Sequence, residues 1–284
     1  MSSRAETLEL RPIRGPSAFG GGLRRTWDLL WLTSVTDFRL RYTNTLLGYS
    51  WSVLKPFLFF GIIYIVINQV LRFGGEVKDY PMLLILNLVI FQYFQETTST
   101  ALRSISSKEP MVRKMQFPRI VIPLSVSLSA AISLLSNLIG VFLLFLVVGL
   151  DPRASWLLLP VVLLALIVLT TALSMFLSVA YVRSEDVGQA WTLFLRVLFY
   201  ATPILYPLDI DAIPDSIRSV IAANPLSPLL EQARIWVIDA GAPSTVELVG
   251  GVMGAAVPLL ISVVVCVAGF WLFNREAPRV AEAL

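Results

Sequence analysis

The chain has 284 residues, 56% hydrophobic and only 14% charged, with a mean hydropathy of +0.77, a net charge of +3 and a pI near 9.1. Soluble domains carry about 25% charged residues, so this composition places the chain in a membrane, and the basic balance reads as lysine- and arginine-rich loops rather than a nucleic-acid surface. With no histidine and a single cysteine, Cys266, the chain has no internal disulfide, no histidine catalysis and no ordinary zinc or iron site.

Residues 1–22 lack the apolar core of a signal peptide and read as a disordered cytoplasmic tail. Over 23–48, Leu23, Trp27, Leu30, Trp31, Phe38 and Tyr42 recur at helical spacing, with Arg24, Arg25, Asp28, Arg39 and Arg41 largely elsewhere around the wheel. That pattern predicts an amphipathic helix lying in the membrane interface, whether as a plain anchor or with a further role. Leu47-Gly48 then supplies a turn, and Trp51, Lys55 and Pro56 restart the chain as a span.

A span needs ~20 mostly apolar residues. Six stretches qualify, near 53–72, 81–102, 119–148, 156–181, 190–206 and 252–273, predicting an all-α polytopic membrane domain over 49–274 and a cytoplasmic tail over 275–284. The fifth is short and runs into Pro203, Pro207 and Pro214, which cannot continue a regular helix. With both termini cytoplasmic, fifteen lysines and arginines fall inside and only Arg72, Lys78, Arg153, Arg218 and Arg234 outside. The positive-inside bias fixes that orientation, and Lys55 and Arg196 sit near cytoplasmic span ends where they can snorkel.

Within the second span, "FQYFQETTST" mixes Gln92, Gln95 and Glu96 with Tyr93 and Phe94. Polar groups at membrane depth are costly; they serve either hydrogen bonding between helices or the wall of a polar pathway, where amides meet sugar hydroxyls and rings stack on sugar faces. Trp191, Phe194, Phe199 and Tyr200 on the fifth span are further candidates for that wall. Between spans two and three, "SISSKEPMVRKMQFPRIVIP" offers an N-cap at Ser107, a short amphipathic stretch and Phe117-Pro118 before the third span. After the fourth span, Arg183, Glu185 and Asp186 interrupt an apolar stretch, and Asp186 with Gln189 has the form of a capping box. The outer connection, about 204–250, is too apolar for a flexible loop and reads as two short helices broken at Asn224-Pro225, re-entrant or interfacial. Asp209, Asp211 and Asp215 there are turn and cap formers by default, or the carboxylates of a membrane enzyme such as a polyprenyl-phosphate glycosyltransferase.

The segments "RYTNTLLGYSWSVLKP", "VRKMQFPRIVIP", "YVRSEDVGQA", "ATPILYP" and "NPLSPLLEQAR", in that order relative to the spans, resemble the transmembrane subunits of type-2 ABC exporters, in the branch that exports cell-surface polysaccharides such as O-antigen, teichoic acid or galactan. Where the family often has an acidic residue after Phe-Pro-Arg, this chain has Ile120. The resemblance implies a permease in a bacterial cytoplasmic membrane, a homodimer working with two ATP-binding subunits on a lipid-linked polysaccharide. A drug or small-lipid exporter of the same fold is the alternative. No G-x-x-x-x-G-K-[ST] occurs, so ATP and magnesium belong to the partner, no cofactor is expected on this chain and it is not itself an enzyme.

By position, residues 107–117 match the family's coupling helix. Met111, Met115 and Phe117, with Pro118, suit an apolar cleft on the ATPase, and Arg113 and Lys114 its acidic rim. Arg183, Glu185 and Asp186 are a second contact or a cap. The resemblance also places the Leu-Gly loop where a lipid diphosphate arrives, implicating Arg39, Arg41, Tyr42, Leu47, Gly48, Tyr49 and Trp51 as a headgroup portal, against simple attraction to anionic phospholipid. It makes the outer short helices a channel gate.

Overall fold

The computed structural model describes residues 22–42, 48–70, 77, 79–108, 118–210, 213–249 and 251–283, all α-helix, 3-10 or π turn and connection, with no strand among them. The helices are α1 (Gly22–Tyr42), α2 (Ser50–Ile65, continued by a π turn Val66–Val70), α3 (Tyr80–Leu102), α4 (Ser104–Ser107) and α5 (Val121–Val148). Next come α6 (Leu159–Arg183, entered through a 3-10 turn Ala154–Leu158), α7 (Asp186–Tyr200), α8 (Asp215–Ala223), α9 (Leu226–Val237), α10 (Thr245–Leu248) and α11 (Val252–Ala283).

Four helical stretches are long and apolar enough to cross a membrane: Ser50–Val70, Val121–Val148, Ala154–Arg183 and Val252–Glu276. Their exposed sides carry large apolar residues such as Leu58, Ile139, Leu164 and Leu259, a surface that suits lipid and not water. The two remaining expected spans stand apart. Helix α3 has 23 residues, about 35 Å of rise and enough to cross, but its polar second half dilutes its apolarity. Helix α7 has 15 residues and stops at Tyr200, about 22 Å, short of a hydrocarbon core of about 30 Å.

Helix α3 is the axis of the bundle. Its first half, "YPMLLILNLVIF", is apolar on every side, and a helix of that kind must be surrounded. Every residue from Met82 to Phe91 is buried, with α2, α5, α6, α7 and α9 packed around the helix. Two of its polar groups reach outward to the broken chain after α7: Tyr80 OH donates to the Leu205 carbonyl at 2.8 Å and Asn87 Nδ2 to the Pro203 carbonyl at 2.9 Å. Carbonyls freed by the prolines thus find donors inside the bundle. Asn224 completes the tie, donating to Thr202 Oγ1 at 2.7 Å while its Oδ1 accepts the Leu226 N–H at the start of α9. The break at Asn224-Pro225 falls between α8 and α9, as the sequence suggests.

Helix α1 lies on α5 with Leu30 and Ser34 buried and Trp27 and Trp31 exposed, at 59% and 51%. An outward tryptophan pair suits the headgroup level. At the far side, α11 packs along α6 so closely that a Cβ on Gly269 would lie 2.1 Å from the Ala172 carbonyl oxygen. Small residues that bring helix backbones together are a main source of association in lipid. Gly269→Ala is therefore expected to cost about 2 kcal/mol by overpacking, read as a lower unfolding temperature in detergent. Gly61→Ala, whose Cβ meets nothing within 4 Å, should leave it unchanged.

Candidate functional site

Midway along α3 the sequence turns from apolar to polar, and the polar groups fall on one face: Gln92, Gln95, Glu96, Ser99 and Thr100 repeat at helical spacing. They form one wall of a cavity of about 780 Å³. Helix α2 supplies Ser52, Lys55 and Phe59 from the opposite wall, α1 its terminal Arg41, α5 Ser133 and α7 Phe199. The Arg41 guanidinium donates to the Glu96 carboxylate, 55 residues away in sequence, with the two side chains 22% and 30% exposed. Lys55 has no ion-pair partner among the described residues. Phe199 is edge-on to Phe91 at 5.5 Å between ring centroids and tilted against Phe59 at 6.2 Å, which makes an aromatic corner. The cavity therefore offers amides and hydroxyls for hydroxyl groups, ring faces for sugar faces, and cations for an anion.

Two groups of residues that the sequence suggests for separate jobs thus share one space: Arg41 from the headgroup set and Gln92, Gln95, Glu96 and Phe199 from the pathway set. Tyr93, Phe94 and Trp191 turn away from it. Tyr93 OH lies 2.9 Å from Ser127 Oγ, Trp191 Nε1 donates to Thr98 Oγ1 at 3.2 Å, and Phe94 packs on Trp191 at 6.3 Å. Tyr200 is exposed and edge-on to Phe199 at 5.2 Å. Of the remaining headgroup set, Gly48 holds φ +50, the left-handed conformation that glycine adopts without strain, Tyr49 packs on Phe38 at 5.2 Å, and Arg39 is exposed in the last turn of α1. Trp51 opens α2 partly buried; Leu47 and the Tyr42 side chain lie outside the described residues. Sequence reasoning passed over Lys55 and Phe59 as site residues. The repeat of Ser52, Lys55 and Phe59 at i, i+3 and i+7 was the available signal.

At the N-terminal end of α5, Lys108 Nζ donates to Asp37 Oδ2 at 2.6 Å, and Ser125 Oγ lies 3.4 Å from the same oxygen. This trio clamps α1, the connection after α4 and the first turn of α5. Met111, Arg113, Lys114, Met115 and Phe117 lie outside the described residues; Pro118 accepts the Val121 N–H at 2.9 Å as α5 begins. Ser107 is the last residue of α4, where its hydroxyl donates to the Ser104 carbonyl, and most of the stretch it would cap lies outside the described residues. The capping box at Asp186 and Gln189 is absent. A single extended residue, Ser184, separates α6 from the turn into α7, so Asp186 already lies inside the helix and Glu185 occupies the cap with helical backbone and no capping bond. Arg183 instead pairs with Glu276 of α11 at 2.6 Å.

The described carboxylates between α7 and α10 are engaged in ion pairs and hydrogen bonds. Asp209 receives both guanidinium nitrogens of Arg234, at 2.9 and 3.0 Å. Glu231, buried beside it, accepts from Arg234 at 3.2 Å and from the Leu208 N–H at 2.9 Å. Asp215 pairs with Arg218 one turn on, and Asp211 lies outside the described residues. Among the described residues no cluster of His, Cys, Asp or Glu could hold a metal ion.

The family described as "ABC-2 type transporter" matches residues 28–237, which takes in α1 to α9 and every wall of the cavity. Two Klebsiella pneumoniae proteins, each named an O-antigen export system permease protein RfbA, are 28% identical over 259 and 262 residues. Each alignment covers 91% of this chain and 95% of the relative. A Myxococcus xanthus protein of the same name is 25% identical over 248 residues, 87% of this chain and 92% of its own. The chain belongs to the ABC-2 type transporter family and is a multi-pass membrane transport subunit.

Removing one member of a buried ion network leaves the others uncompensated. Arg234→Gln is expected to destabilise the fold by about 3 kcal/mol, measured by thermal unfolding in detergent. Asp215→Asn, on an exposed pair, should stay within about 0.5 kcal/mol of wild type.

Proposed function

We propose that this ABC-2 transporter subunit is the permease of an ATP-driven exporter that carries a polyprenyl-diphosphate-linked cell-surface polysaccharide outward across the bacterial cytoplasmic membrane. The cavity carries the reading: cations, amides and aromatic rings converge in one membrane-depth space, a combination that suits a charged lipid head followed by sugars and does not suit a purely apolar drug. The names of the relatives, O-antigen export permeases covering nearly the whole chain, support the substrate class. A drug or small-lipid exporter is the weaker reading. A glycosyltransferase is weaker still, because Asp209 is held by Arg234 in a structural pair.

In this reading the chain crosses the membrane six times, with α3 and α7 as the second and fifth spans, both termini cytoplasmic and α1 in the inner interface. The cavity then opens in the inner half of the bilayer, beside the end of α1, and α8 and α9 form a re-entrant gate at the outer mouth. Two copies of the chain pair with two ATP-binding subunits that hold ATP and magnesium. Residues 107–117 dock on those subunits, and the Asp37–Lys108–Ser125 clamp lies directly beside that segment, so a push there reaches both α1 and α5. Arg183, Glu185 and Asp186 make a second, smaller contact with those subunits in this reading. Tyr93, Phe94 and Trp191 brace the cavity wall from behind.

Depletion of the chain is expected to leave lipid-linked polysaccharide on the cytoplasmic face and to remove it from the cell surface, read by extraction and by surface labelling. Undiminished surface polysaccharide, with sugar transfer to lipid lost, would favour the enzyme reading. In the assembled complex, Met115→Ala with Phe117→Ala should lower coupled ATP hydrolysis several-fold while leaving the folded permease intact, since interface anchors of this kind each contribute about 1–2 kcal/mol.

A further inference from the structure

The cavity contains its own anion. Glu96 on the α3 wall accepts from Arg41, while Lys55 on the α2 wall has no ion-pair partner among the described residues. Two cations and one carboxylate leave a single uncompensated positive charge. The paired side chains are 22% and 30% exposed, so burial does not lock them together and a ligand can compete for the guanidinium.

We infer that Glu96 is a specificity-determining counter-anion, which holds Arg41 until a ligand of the diphosphate class displaces it. The inference rests on the export reading of the cavity. A phosphodiester headgroup brings one negative charge; taking Arg41 from Glu96 exchanges one monoanion for another and leaves a carboxylate unpaired at a partly dehydrated wall, so little is gained. A diphosphate brings two or more charges and several acceptor oxygens, and it can engage the Arg41 fork and Lys55 together. That second cation offsets the cost of freeing Glu96. The freed carboxylate has donors within one turn, because Gln92 and Ser99 sit at i−4 and i+3 on the same face of α3. The consequence is selectivity: abundant monoanionic phospholipid is refused at a site that would otherwise attract any anion.

The test uses the full chain in phosphatidylcholine nanodiscs near pH 7.5, titrated with two soluble probes. One is farnesyl diphosphate, and the other is short-chain dihexanoyl phosphatidylglycerol, a singly charged phosphodiester. Wild type is expected to prefer the diphosphate. Glu96→Gln should raise phosphodiester affinity about fivefold, the upper end for a part-exposed ion pair, whereas Glu96→Asp keeps it at the wild-type level. Lys55→Gln should weaken the diphosphate more than the phosphodiester. If Glu96→Gln leaves phosphodiester affinity at the wild-type value while Arg41→Gln abolishes diphosphate binding, the counter-anion role is overturned and the cavity reading stands. If Arg41→Gln leaves diphosphate binding unchanged, the site itself is overturned. Should Glu96→Gln fail to fold, an unchanged preference in Lys55→Gln contradicts the inference on its own.

Discussion

A carboxylate on a helix inside a membrane bundle must find a cation, and in this chain that requirement joins two distant parts of the sequence. Glu96 sits in the polar half of the central helix, and its partner Arg41 lies in the last turn of α1. An ion pair in water contributes little, but at a partly dehydrated wall an unpaired charge costs more, which favours the pair although neither side chain is fully buried. The pair thereby links the last turn of α1 to the polar half of α3 and, with Lys55, sets the charge of the cavity.

The same central helix is tied at its other end. Tyr80 and Asn87 take up the carbonyls of the broken segment after α7, and Asn224, Glu231 and Arg234 bind that segment to the outer helices. Helix α3 therefore connects the outer region to the cavity along one rigid rod. The Asp37–Lys108–Ser125 clamp attaches α1 to the connection that leads towards residues 109–117. A transporter moved by a partner in the cytoplasm needs such a chain of stiff elements, and the hydrogen bonds name its joints.

Much of this was legible in the sequence, for stated physical reasons. Lipid imposes a length and an apolarity on each span, so α2, α5, α6 and α11 appear in hydropathy alone. The prolines at 203 and 207 marked the short fifth span, and Asn224-Pro225 the break between α8 and α9, because proline cannot continue a helix. Helical spacing also gathered Gln92, Gln95 and Glu96 on one face. Spacing does not say which helix that face meets, so the Glu96–Arg41 pair and the places of Lys55 and Phe59 needed the fold. The missing box at Asp186 has a plain origin: a capping box presupposes a non-helical residue at its first position, and α7 begins one residue earlier, so that Asp186 is already helical. Glu231 and Arg234 could be read as an i, i+3 pair, but Asp209, across the proline break, could not.

The central claim is that the space between α2 and α3 is the passage of the exported lipid-linked polysaccharide. It is tested most directly by placing a photo-crosslinking residue at Gln95, on the cavity wall, and in a second variant at Val168, on the exposed side of α6. Each is then irradiated in cells where export is arrested. Capture of the lipid-linked polysaccharide at position 95 and not at 168 is the predicted result, and capture at 168 with none at 95 would contradict the account.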